Sequence, residues 1–198
     1  MKKYLQLAAW LGAETVLVVP GATRVAWDAS HAEVSYGNAW ANATASIREL
    51  VPVAEALGVN LALENVWNRF LISPMEWKFF LDQFGSKHVG LYFDVANCCL
   101  NTNPADWPEI LGDSIKAVHL KNFAESDSAG GLHGFGDDIF TGVIDFRKLF
   151  AAFAKAGYAG PFTVEMIPFS RLPDLVLPDA ALAEKMVGQI GELARMGE

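Results

Sequence analysis

Two hydrophobic rhythms alternate along this chain. Short runs dense in apolar residues recur at Thr15-Val16-Leu17-Val18-Val19, Asn60–Glu64, Val89–Asp94, Ile115–His119 and Pro161–Glu165, each closed by Gly, Pro, Asn or a change to polar residues. Such runs predict strands; the near-continuous Thr15–Val19 run implies burial on both faces, as in a parallel sheet, while the alternate leucines of Asn60–Glu64 mark one face packed against apolar groups. The stretches between them follow the helical period. Lys2–Leu11 carries Leu5, Ala8, Ala9 and Leu11 and stops at Gly12. Tyr36–Leu57 carries Ile47, Leu50, Val51, Ala54 and Leu57 on one side and stops at Gly58, with a bend or break expected near Pro52. Ser73-Pro74 predicts a capped helix to about Phe84, Asp145 caps one to Ala156, a short helix falls near Asp106–Leu111, and a last helix covers about 179–196.

Strand–helix–strand alternation at this spacing means βα units and an α/β fold of the (β/α)8 barrel type, with parallel strands. Five strands are legible in 198 residues, whereas a closed barrel has eight in about 250 residues. The expectation is therefore a single barrel domain over residues 1–198 that lacks its first three βα units.

Composition narrows what such a chain does. With 52% hydrophobic and 19% charged residues it buries a sizeable core and is not a disordered segment. A net charge of -8, a pI near 5.0 and the lack of any Lys/Arg run argue against a duplex nucleic-acid surface. Its two cysteines, Cys98 and Cys99, are neighbours, a placement that rarely forms a disulfide and predicts free thiols in a reducing compartment. No apolar run reaches the roughly 18 residues of a membrane span and the first residues do not form a signal sequence, so a cytoplasmic protein without membrane partners is expected.

The strand ends carry the chemistry. Leu63-Glu64, Phe93-Asp94, Val118-His119 and Val164-Glu165 each place an apolar residue on one face and then a metal-type ligand on the other, at the C-terminal end. Ala62, Tyr92, Ala117 and Thr163 share the ligand face by parity. A carboxylate there is costly unless a cation or a donor array meets it. Any one of the four alone reads preferentially as a solvated loop-start residue. All four in phase, on consecutive strands, at the rim where βα loops converge, point to a metal centre. Three carboxylates and an imidazole suit a divalent, oxygen-preferring ion: Mn²⁺ first, with Mg²⁺, Co²⁺ or Zn²⁺ as alternatives.

The runs LALENVWNRFLISPMEW, VGLYFDVANCCL, ADWPEILGDSIKAVHLKNF and VIDFRKLFAAFAKAGYAGPFTVEM resemble the sugar isomerase/epimerase group of xylose-isomerase-like barrels. That group includes ketose 3-epimerases and L-xylulose or L-ribulose 5-phosphate 3-epimerase-like enzymes. The similarity runs from about Leu5 to Glu165 and is most specific over residues 61–123. It implies a metal held by Glu64, Asp94, His119 and Glu165, with Glu64 and Glu165 doubling as the proton-transfer pair. It also implies a small sugar or sugar phosphate as the partner. The reaction so implied is epimerisation or isomerisation of a ketose or ketose phosphate: one glutamate takes a proton, a metal-stabilised enediolate forms, and the other glutamate returns the proton.

Other residues carry less. Lys121, two after His119, faces the same way and reads as a holder of a substrate oxygen or as a rim lysine. Asn97 stands where related epimerases often carry a His, and the arginine that ketose 3-epimerases place soon after the metal His is not evident in Leu120–Ser126. Arg69 reads as a phosphate contact or, preferentially, as a residue that fixes its loop. Trp67 and Phe70 wall a sugar pocket or pack the loop, His133 belongs to a Gly-rich loop that could cover the site, and Cys98 and Cys99 read as packing. A dehydratase of an inosose-type ketone would use the same site. An apurinic-site endonuclease fits poorly, because its multi-metal site is rich in histidine and this acidic chain has four. Outside enzymology, the shortened barrel reads as an inactive remnant, or as one that a partner chain completes, with a homo-oligomer as one form of that.

Overall fold

The computed structural model describes residues 1–25, 30–124, 138–165 and 179–197. Helix α1 (Lys2–Leu11) ends at Gly12, whose φ of 71° lets its N–H turn back onto the Ala8 and Ala9 carbonyls. Strand β1 (Thr15–Val18) follows, then α2 (Tyr36–Leu57), β2 (Asn60–Glu64), α3 (Pro74–Asp82) and β3 (Val89–Asp94). Two single 3-10 turns flank the short α4 (Trp107–Leu111) before β4 (Ile115–Leu120), α5 (Phe146–Lys155), β5 (Phe162–Val164) and α6 (Ala180–Gly197). The strands pair in chain order, all parallel, as a curled half-barrel with helices outside it. The α/β barrel expectation holds, with five strands.

Two elements depart from the sequence reading. Helix α2 runs through Pro52 without a break. The missing N–H costs one hydrogen bond, and the buried stripe of Ala43, Ile47, Leu50 and Ala54 holds the helix against the sheet regardless. Strand β1 is not buried on both faces: Leu17 is 37% exposed and Val19 is 48% exposed. It lies at the sheet edge, where among the described residues no opposite strand covers the concave face.

The core lies between the convex face and the helices. Leu61, Leu63, Leu91, Phe93 and Val118 are wholly buried there, and Phe93 stacks on Trp107 of α4 at 4.8 Å. The β2–α3 connection is held at its base by a second aromatic group, in which Phe70 meets Tyr36, Trp40 and Phe80. A capping box between Ser73 and Glu76, with Pro74 in the first turn, then starts α3 as its sequence predicts.

One irregularity shapes the rim. Register slips between β3 and β4, with Leu91 opposite Ile115 but Tyr92 opposite Ala117, so Lys116 is a bulge residue. Gly90 makes this feasible: a Cβ there would overlap the Ser114 carbonyl and the Lys116 side chain. After the slip Asp94 stands level with His119. Among the described residues no helix is long and apolar enough to cross a membrane.

Candidate metal centre

Glu64 ends β2, Asp94 ends β3, His119 is the penultimate residue of β4, and Glu165 follows β5, its N–H donating to the Leu120 carbonyl at 2.9 Å. Pairing of Ala62 with Gly90, of Tyr92 with Ala117 and of His119 with Thr163 puts all four on the concave face. One donor atom from each lies within 4.8 Å of the other three. His119 Nδ1 is 2.9 Å from Glu64 Oε1, 3.5 Å from Glu165 Oε2 and 3.9 Å from Asp94 Oδ2. Tyr92 packs its ring against the imidazole, with centroids 4.3 Å apart.

Lys121 enters the same cluster. Its Nζ lies 2.7 Å from both Asp94 Oδ2 and Glu165 Oε2, and the residue is buried. The lysine predicted to face the rim therefore joins the carboxylates directly. Arg69 and Asn97 stand differently. Arg69 is exposed on the β2–α3 loop with φ 56°, and its carbonyl accepts from the Thr23 hydroxyl at 3.0 Å. Asn97 donates its amide to the Asn65 carbonyl at 2.8 Å, while its own carbonyl accepts from the Trp67 indole at 3.1 Å. Phe70 is packed beneath the loop, and Cys98 is buried with its thiol against the Val95 carbonyl. His133 lies outside the described residues.

Burial sets the electrostatics, and the neighbours modify it. Asp94 is fully enclosed, which pushes its pKa up to about 6 against the opposing pull of Lys121. Glu165, more open, moves the other way: burial raises it, but the Lys121 ammonium and His119 outweigh that and lower it. Desolvation pulls His119 down, yet the Glu64 hydrogen bond and the fields of Glu165, Glu64 and Asp94 raise it on balance. Lys121 is likewise raised, desolvation being outweighed by its two carboxylates.

The donors fit a divalent ion. Oxygen and imidazole donors stand about 2.0–2.2 Å from such an ion, so those on opposite sides are roughly 4 Å apart. The 4.8 Å cluster needs only small side-chain shifts to reach that. Asp94 Oδ2 is buried and its near partner is a cation, the Lys121 ammonium at 2.7 Å, as suits an oxygen placed to meet positive charge.

Three asparagines escaped the sequence reading, and they frame the site. Asn65 spans the end of the β2–β3 ladder like a piece of backbone: its Oδ1 accepts from the Asp94 N–H and its Nδ2 donates to the Asp94 carbonyl, both at 2.8 Å. Asn122 accepts from Phe123 and Ile144 and donates to the Ile139 carbonyl. Asn68 ties its loop to the β1–α2 connection, accepting from the Phe70 N–H and donating to the Gly21 carbonyl. A signal was present in the spacing, since an Asn follows Glu64 by one residue and follows Asp94 and His119 by three.

Residues 1–186 match the model of the xylose isomerase-like TIM barrel. The chain belongs to that family. It is 26% identical over 162 residues to an uncharacterized protein of Methanocaldococcus jannaschii, covering 78% of this chain and 51% of that one. It is 27% identical over 140 residues to the ketose 3-epimerase of Arthrobacter globiformis, covering 68% of this chain and 45% of that enzyme. Among solved structures, D-psicose 3-epimerase with D-tagatose, from Clostridium cellulolyticum, superposes on all of this chain and 69% of its own with a TM-score of 0.77 at 18% identity. That last likeness is one of fold. The xylose isomerase-like chain spans about half the length of the curated relatives it matches.

Proposed function

We propose that this chain carries the metal and proton-transfer rim of a sugar epimerase acting on a ketose or ketose phosphate. The observation that carries the reading is the convergence of Glu64, Asp94, His119 and Glu165, with donor atoms within 4.8 Å, at the C-terminal rim of a parallel sheet. Its relatives include a protein named ketose 3-epimerase, which supports the substrate class. A divalent ion bound by these four residues supplies Lewis-acid polarisation of a carbonyl and its adjacent hydroxyl. Mn²⁺ is the first choice for that ion.

The chain's own residues divide the remaining work. Glu64 and Glu165 reach the imidazole from strands on either side of β4–β3, one at 2.9 Å and the other at 3.5 Å. One takes the proton from the carbon next to the carbonyl and the other returns it from the opposite side, which inverts that centre. Asp94, pinned by Asn65 and by the Ala96 and Asn97 N–H groups, orients the cluster without taking part in proton transfer. Arg69 and Asn97 line a cavity beside Asn65, the residue after Glu64, and serve substrate orientation.

Mn²⁺ titration followed by solvent deuterium exchange tests this. One high-affinity site is expected, and Glu64→Gln or Glu165→Gln should stop deuterium incorporation at the inverted carbon while leaving measurable metal binding. Parent-rate exchange in both variants would remove the two-glutamate assignment.

A second reading is favoured by the two sheet edges, beyond which no strand pairs among the described residues. Leu17 and Val19 on the concave side of β1, and Tyr4, Leu7, Trp10 and Leu11 on α1, expose apolar surface on one flank, and Phe162, Val187 and Ile190 do so on the other. A partner chain, or a second copy, that covers both flanks would complete the pocket. Sedimentation velocity over a range of concentrations tests it, and a concentration-independent monomer active on the sugar would overturn it.

A further inference from the structure

The cluster contains one more cation site than a simple ligand set needs. Its donor atoms are divided into two satisfied groups: His119 Nδ1 with Glu64 Oε1 at 2.9 Å, and Lys121 Nζ with Asp94 Oδ2 and Glu165 Oε2 at 2.7 Å each. An ion that uses the carboxylate oxygens nearest the imidazole draws on the same two that the ammonium holds. A divalent ion and an ammonium sharing those two oxygens, one buried and one half-buried, repel each other. One of them has to give way.

Asp94 cannot. It is 0% exposed, its backbone N–H and C=O are both tied to Asn65, and its Oδ1 accepts from the Ala96 and Asn97 N–H groups at 3.0 and 2.9 Å. Lys121 has a flexible four-carbon stem and follows β4 on the concave side, where its side chain is buried. Its head group can swing off the carboxylates while the backbone stays in place.

We propose that Lys121 is an exchangeable counter-ion: a divalent ion enters by displacing its ammonium from Asp94 and Glu165, and the displaced ammonium then faces the concave side, ready for an oxygen-rich or anionic substrate. This rests on the metal-centre reading above and adds an order to it, metal before sugar. Lys121 is thus a positioning residue whose place reports whether the centre is loaded.

The experiment compares Mn²⁺ binding by calorimetry in the parent, Lys121→Met and Lys121→Arg. Lys121→Met should bind Mn²⁺ at least about tenfold more tightly and melt lower in chelator, since three carboxylates then face one another uncompensated. Lys121→Arg keeps the competing cation and should not gain affinity. In the parent, amine acylation read by mass spectrometry should find Lys121 protected in chelator and labelled at saturating Mn²⁺, a readout that does not depend on the variants folding. Unchanged or weaker Mn²⁺ binding in a folded Lys121→Met, or labelling of Lys121 that Mn²⁺ does not alter, would overturn the exchange and leave the metal centre standing. Failure of both parent and Lys121→Met to bind Mn²⁺ would remove the centre itself and this inference with it.

Discussion

The three central strands and the two edge strands of this sheet share a sequence pattern and differ in what it achieves. Strands β2, β3 and β4 bury nearly every residue, whereas β5 leaves Phe162 40% exposed and β1 leaves Leu17 open. The candidate ligands follow suit. Glu64 and Asp94 are enclosed, and the His119 side chain is 11% exposed, but the Glu165 side chain is 31% exposed. Three candidate ligands are positioned by the core, and the fourth hangs from an edge, held by one ladder hydrogen bond and by Lys121. An apolar strand is therefore only as buried as its neighbours allow, and a ligand at its end is only as fixed as the strand.

Deleting one aromatic ring from each zone probes this most strongly. Phe93→Ala removes a wholly buried ring stacked on Trp107 and should cost about 3–5 kcal/mol in urea unfolding. Phe162→Ala, at the edge, should cost about 1–2 kcal/mol. Equal losses would mean that the edge is covered in solution.

The next contrast concerns how a central ligand is pinned. Asn65→Ala strands the Asp94 N–H and C=O in a buried site, at about 1–3 kcal/mol for each group left unpaired. If Asp94 is a metal ligand, Mn²⁺ affinity should also fall about 10–100-fold, measured by calorimetry. Asn65→Asp should not restore it, because a carboxylate cannot donate to the Asp94 carbonyl.

Glycines sharpen the comparison further. Gly90→Ala drives a Cβ into the Ser114 carbonyl at the central bulge and should destabilise by about 1–3 kcal/mol. Gly188→Ala, in the exposed part of α6 with open space around it, should stabilise by up to about 1 kcal/mol. Thermal melts of the two variants should move in opposite directions.

The smallest effect lies at the margin. Tyr36 donates to Glu76 at 2.6 Å and accepts from the Leu71 N–H at 3.2 Å, and burial with the Glu76 hydrogen bond raises its pKa from 10.0 to about 12. A raised folded-state pKa means that this contribution is complete below pH 10.0 and is lost as pH rises through about 12. Tyr36→Phe should cost about 0.5–1 kcal/mol at neutral pH and flatten that alkaline decline.

Much of the fold was readable because its local signals agree with one another. Gly12 and Gly58 adopt the left-handed conformation their helix stops predict, and Ser73, Pro74 and Glu76 start α3 as written. The four candidate ligands were legible for a related reason: strand parity is a local property, so residues in phase along four strands must share a face. Lys121 was placed on that face by the same parity, but its two ion pairs were not foreseeable, since they join residues 27 and 44 positions away. The break that Pro52 alone would favour does not occur, because long-range packing outweighs a local preference.

The sequence by itself determined the α/β alternation, the helix caps and the phase of Glu64, Asp94, His119 and Glu165 along their strands, all of which depend on neighbours a few residues apart. Only the tertiary structure decided that those donors meet within 4.8 Å, that a bulge opposite Gly90 levels Asp94 with His119, and that Lys121 sits between two of the carboxylates. Those outcomes depend on register and on the curl of the sheet, which arise from pairing between strands and are written in no single stretch of the chain.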